Sequence, residues 1–145
     1  MQKTIHSLEE LAEEANRFVN EITPAKGGAT LVTLSGELGA GKTAFTKAVA
    51  KALGIEEEVT SPTFVLEKIY LLGTGAVFKR LVHIDAYRLE KGGDLVPLGF
   101  DELIQEEGNL ILLEWPEKVA DALPIPAQHL SLVAETDGSR TLTYA

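Results

Sequence analysis

Residues 29–43 read Ala29-Thr30-Leu31-Val32-Thr33-Leu34-Ser35, followed at once by Gly36-Glu37-Leu38-Gly39-Ala40-Gly41-Lys42-Thr43. The first seven are apolar and rich in β-branched types, the pattern of a strand buried on both faces. The next eight match G-x-x-x-x-G-K-[ST] at every fixed position. Glycines let the backbone curl until successive N–H groups point into one concavity. Apolar spacing from about Lys42 to Leu53, stopped by Gly54, predicts a helix whose unpaired N–H groups and positive dipole end face that concavity. Strand, loop and helix together give the context that separates a phosphate-binding loop from a chance match. Glu37, Leu38, Gly39, Ala40, Gly41, Lys42 and Thr43 are therefore the expected nucleotide contacts. Lys42 can reach the β- and γ-phosphates, and the Thr43 hydroxyl supplies one ligand for Mg²⁺. ATP and Mg²⁺ are the expected bound species.

Two acids stand at the ends of apolar runs. Asp85 closes Leu81-Val82-His83-Ile84, and Glu114 closes Leu110-Ile111-Leu112-Leu113. Ligands of open α/β sheets gather at the carboxyl ends of parallel strands. If both runs are parallel to the strand before the loop, Asp85 and Glu114 face the γ-phosphate. One can hold Mg²⁺ through water and the other can orient the attacking water; spacing does not assign which. The more apolar strand makes Glu114 the better Walker B candidate.

The remaining chain builds outward from this centre. Ser7, with Glu10 three residues on, forms a capping box ahead of a helical apolar pattern from Leu8 to Ile22. Residues 60–64, Thr-Ser-Pro-Thr-Phe, form a stiff loop where P-loop enzymes often sense the γ-phosphate, with Thr63 as a candidate contact. Phe64 to Leu72 and Ala76 to Asp85 read as an antiparallel hairpin around residues 73–75. Leu95 to Glu106 reads as short helix and loop. Pro116 suits the first turn of a helix that Pro124 ends, with Lys118 one turn in and able to approach nucleotide. His129 to Tyr144 closes as a hairpin around Asp137-Gly138. The predicted fold is α/β and P-loop NTPase-like: a mixed sheet with a parallel core, antiparallel hairpins and flanking helices, as one ATPase domain over residues 1–145.

Three side chains have two readings each. Trp115 suits either the core or the mouth of the site. Arg88 suits a phosphate contact or a surface ion pair. His83 alternates with apolar neighbours and reads as a core or sheet histidine.

Composition narrows the function. The chain is 45% hydrophobic, lacks cysteine and has a net charge of −9. Disulfides and thiolate metal sites are excluded. A field of that sign repels nucleic acid, so any RNA would be held chiefly by a partner protein. No apolar run suits a membrane span, and the N-terminus lacks the apolar core of a signal peptide. A cytoplasmic location without membrane contact is the expectation.

Taken in order, Gly36 to Thr43 with Phe45-Thr46, Thr60-Ser61-Pro62-Thr63-Phe64, His83-Ile84-Asp85-Ala86-Tyr87-Arg88-Leu89, Leu98-Gly99 and Leu113-Glu114-Trp115-Pro116-Glu117 resemble the TsaE (YjeE) family. The likeness runs from about residue 5 to the C-terminal hairpin. Lys47-Ala48, where the family often has arginine then glycine, departs from it beyond the phosphate loop. The resemblance implies a bacterial ATPase that works with TsaB and TsaD, the assembly that makes threonylcarbamoyladenosine in tRNA, with tRNA reached only through that complex. It also implies that Lys42 and Thr43 bind nucleotide and Mg²⁺, that Glu114 is a second metal-side acid, and that Asp85 is catalytic or metal-linked.

Rival readings have their own requirements. A GTPase would carry N-K-x-D and D-x-x-G, and neither occurs. A small-molecule kinase usually needs a lid with several arginines, whereas four are scattered here (Arg17, Arg80, Arg88, Arg140). A non-enzymatic nucleotide-sensing module differs only in lacking turnover. No motif marks an adenine pocket; Ile5 to Leu8 and the surroundings of Leu132 are the candidates, since chain ends often close over the base in small domains.

Overall fold

The computed structural model describes residues 1–56, 66–73 and 75–145. In chain order the elements are β1 (Gln2–Ile5), α1 (Leu8–Glu21), β2 (Thr30–Ser35), α2 (Lys42–Ala52), β3 (Glu67–Leu71), β4 (Arg80–Asp85), a 3₁₀ segment (Gly92–Leu98), α3 (Phe100–Gln105), β5 (Asn109–Glu114), two 3₁₀ turns, β6 (Gln128–Ala134) and β7 (Arg140–Tyr144). The strands form one mixed sheet in the order β1-β7-β6-β2-β5-β4-β3. Strands β6, β2, β5 and β4 run parallel in its centre, and the outer pairs are antiparallel. This is the predicted mixed sheet with a parallel core.

Alternation along the central strands sends side chains to two cores. Val32, Leu34, Leu110 and Leu112 pack under α1 and α2, where Phe18 meets Phe45 edge-on at 5.6 Å. Leu31, Val82, Ile84, Ile111 and Leu113 pack on the other face against Leu95, Phe100 and Val119. With both faces covered, every residue of β5 is buried, as its continuous apolar run requires.

Four local readings differ from the structure. Strand β1 was not foreseen; of its four residues only Ile5 is buried, and its place comes from pairing with β7 at the other end of the chain. The hairpin of β3 and β4 forms, but β4 starts at Arg80 rather than Ala76, because the Lys79 and Arg80 N–H groups both donate to the Gly108 carbonyl. The helix expected from Pro116 to Pro124 is instead two 3₁₀ turns, Pro116–Lys118 and Ala120–Ala122. Val119, fully buried against the second core, takes φ −132° between them and breaks the helical run. At α1, Ser7 Oγ accepts the Glu10 N–H at 3.1 Å as expected, but the Glu10 carboxylate reaches back to the N–H of His6 rather than to that of Ser7.

Candidate functional site

The site begins where β2 ends. Gly36 has φ +152°, and a Cβ there would stand 2.5 Å from the Leu132 carbonyl, so only glycine lets the chain turn out of the sheet beside β6. The loop closes with the Ala40 N–H on the Glu37 carbonyl, and Gly41, at φ +107°, starts α2. No side chain caps α2, and its first turn carries no acid. Its orphan N–H groups and the positive end of its dipole are thus left for a ligand anion.

Lys42 is almost wholly buried. Its ammonium donates to the carbonyls of Gly36 and Glu37 and lies 4.3 Å from the centre of the Trp115 ring. Burial pushes its pKa below the ordinary lysine value; the charges of Glu114 and Asp85 act against that shift. The lysine is folded back on its own loop, within the cleft that a triphosphate would enter.

Parallel pairing brings the two strand-end acids together as the sequence anticipated. Asp85 is the register partner of Glu114, and Leu34 of β2 stands opposite Glu114 on the other side. Glu114 is 2% exposed, and both its carboxylate oxygens lie 3.5 Å from the Thr43 hydroxyl. Asp85 Oδ1 accepts the Tyr87 N–H at 3.0 Å, which fixes the turn after β4. A groove of ≈ 440 Å³ runs over Gly39, Gly41, Lys42, Thr43, Asp85, Glu114, Trp115 and Arg140. Its donors toward a cation are hard oxygens: one hydroxyl and two carboxylates. Among the described residues no three His, Cys, Asp or Glu side chains converge on a metal position. That set fits Mg²⁺, which takes one or two carboxylates and fills its shell with water and substrate phosphate, and it does not fit a metal that demands an all-protein cage.

Trp115 lines this groove and has φ +62°, uncommon for a bulky residue and a local strain at the mouth of the site. Tyr87 packs on it at 5.0 Å. Lys118 is one aromatic layer further out, its ammonium 5.7 Å from the Tyr87 ring centre. Arg88 stands exposed after β4. Thr63, with the rest of the expected γ-phosphate-sensing segment, lies outside the described residues.

Sequence reasoning missed two residues. Arg140, set aside as one of four scattered arginines, extends from β7 over the phosphate loop, its Nη2 3.4 Å from the Gly39 carbonyl. His83, read as a sheet histidine, is fully buried in β4 and also contacts Glu114, Nε2 to Oε2 at 2.5 Å. Its parity with Asp85 along the strand was the available signal. Beside the groove a second cavity of ≈ 250 Å³ lies between Ile5, Ser7, Leu8, Ala44, Leu132 and Arg140. It gathers the two chain segments nominated for the base.

The family model described as "Threonylcarbamoyl adenosine biosynthesis protein TsaE" matches residues 5–142. A relative from Treponema pallidum (strain Nichols), named tRNA threonylcarbamoyladenosine biosynthesis protein TsaE, is 41% identical over 116 residues, 80% of this chain and 82% of its own length. One of the same name from Bacillus subtilis (strain 168) is 38% identical over 133 residues, 90% of this chain and 79% of its own. A crystal structure of Bacillus subtilis YdiB superposes with a TM-score of 0.77 at 30% identity, covering 99% of this chain and 83% of that one.

Proposed function

This chain belongs to the TsaE family, and from that premise we propose that it binds and hydrolyses MgATP as an accessory of tRNA threonylcarbamoyladenosine formation, in a complex with TsaB and TsaD. The observation that carries the reading is the uncapped start of α2 set opposite a buried pair of strand-end acids, with Lys42 and Thr43 between them.

Phosphoryl transfer depends on positioning and on neutralising charge. The loop N–H groups and the α2 dipole hold the phosphates. Lys42 exchanges its two loop carbonyls for β- and γ-phosphate oxygens, so that donor and acceptor are both charged and the bonds stronger. Thr43 and Glu114 would hold Mg²⁺, which would supply positive charge to offset that of the phosphates. Asp85, beside Glu114 at the mouth of the groove, orients the attacking water. The apolar cavity beside Ala44 and Leu132 takes the base, and Arg140, which lines both spaces, takes a phosphate or ribose oxygen between them. With a net charge of −9, the chain leaves tRNA to its partners.

Phosphate release by the purified chain tests this directly. Slow turnover alone, acceleration by TsaB and TsaD, and loss in Thr43→Ala and Glu114→Ala are expected. Equal rates with and without partners would count against the accessory role. Absence of turnover under every condition, with nucleotide still bound, would leave a sensing module, and phosphate passed to a metabolite in place of water would indicate a kinase.

A further inference from the structure

We propose that His83 is a positioning residue for Glu114, fixing that carboxylate toward Thr43 and so setting how strongly Mg²⁺ tightens nucleotide binding. The inference rests on the MgATP reading above and concerns a side chain to which that reading gives no task.

His83 lies in β4 two residues before Asp85 and is fully buried. Its register partner is Leu112, two residues before Glu114, so the imidazole sits one step below the two acids on the sheet face that carries α2. Its Nε2 is 2.5 Å from Glu114 Oε2. With Glu114 as the metal-side carboxylate of that reading, Nε2 is the donor and Oε2 the acceptor. Packing does not account for the imidazole, because Nδ1 is buried with no hydrogen-bond partner among the described residues. Leaving such an atom unsatisfied is unfavourable, and a leucine of similar volume would avoid it. The ring's hydrogen bond among the described residues is the one Nε2 makes to Glu114.

Glu114 is the carboxylate acting most strongly on the Lys42 ammonium. An acid free to rotate would close on that lysine and occupy the group a phosphate needs. Tied through Oε2 to the strand beside it, Glu114 is held with both carboxylate oxygens 3.5 Å from the Thr43 hydroxyl. Hydrogen bonds that orient a metal ligand in this way typically govern about 10–100-fold in metal affinity.

The test uses the full chain and a non-hydrolysable ATP analogue, with calorimetric affinity measured in Mg²⁺ and in EDTA. The ratio of the two dissociation constants is the readout, which a purely structural role for His83 would not move. His83→Gln restores a donor near the Nε2 position; His83→Asn places its amide near Nδ1, and His83→Leu fills the space without a donor. All three are expected to bind within threefold of wild type in EDTA. The magnesium ratio is expected to fall about tenfold in His83→Asn and His83→Leu and to stay within threefold in His83→Gln. Thermal melts identify any variant that does not fold; should His83→Leu be one, the Gln and Asn variants decide between them. Equal ratios in those two, or a wild-type ratio of one, overturn the proposal. A wild-type chain that binds no analogue at all defeats the nucleotide reading instead.

Discussion

The helices α1 and α2 lie on the same face of the sheet and pack against each other, yet they begin in opposite ways. At α1, Ser7 Oγ takes the Glu10 N–H, and Glu9 and Glu10 place negative charge in the first turn. A capping hydroxyl and an acidic first turn both quiet that N-terminus. At α2, Gly41 in a left-handed conformation replaces the capping side chain, and Lys42 stands where an acid would be favourable. Helix α1 is thus complete in itself, whereas α2 leaves its donors and dipole unanswered. The difference separates a helix start that stabilises the fold from one arranged for a phosphate. Both starts line the same apolar cavity beside the loop, so the two solutions can be compared at close range.

Altering the charge at α2 gives the largest expected effect. Lys42→Ala removes the one cation buried in the loop, and ATP affinity should fall roughly 100-fold, near the upper end for charge-assisted hydrogen bonds. Fluorescence of Trp115, the only tryptophan and the neighbour of Lys42, provides the titration signal. Making α2 resemble α1 is the sharper change. Ala44→Asp puts an acid in the first turn, which helps the helix dipole by about 0.3–1 kcal/mol. ATP affinity should nevertheless fall about tenfold, with the unfolding midpoint lowered by no more than a few degrees. Parallel loss of both would show that the α2 terminus is not specialised for an anion. Making α1 resemble α2 tests the converse: Ser7→Ala should cost about 1 kcal/mol in urea unfolding.

The smallest effect lies further along α1. Burial pushes the Glu14 carboxyl up, but hydrogen bonds from Arg17 and Tyr144, with the Arg17 charge, outweigh it and leave the pKa below the ordinary 4.5. A carboxyl with a depressed folded pKa contributes stability that is present above its unfolded value and lost as pH falls through the folded one. The stability difference between wild type and Glu14→Gln should therefore be constant above about pH 5 and shrink below 4.5. A flat difference down to pH 3 would contradict the shift.

What the sequence disclosed follows the same division. The glycine-rich loop was legible because its fixed positions are contiguous, and the structure sets it between β2 and α2 as read. Asp85 and Glu114 were legible because each ends an apolar run, and parallel pairing does the rest. Contacts made across the sheet were not. Arg140 reaches the loop only because β7 folds back beside β6, and the Nε2 contact of His83 depends on the register of β4 against β5. Strand β1 was invisible because four residues with one buried side chain carry no periodic signal. The two turns after β5 were mistaken for a helix because proline at the first position suits both forms, and Val119, which breaks the run, reads as an ordinary apolar residue.

One calorimetric titration bears on the centre of the account: an ATP analogue added to the intact chain, in Mg²⁺ and in EDTA, beside Lys42→Ala. Tight uptake of one nucleotide per chain, strengthened by Mg²⁺ and weakened roughly 100-fold in the variant, is the expected result. No heat of binding from the folded wild-type chain, even with TsaB and TsaD added, would contradict it.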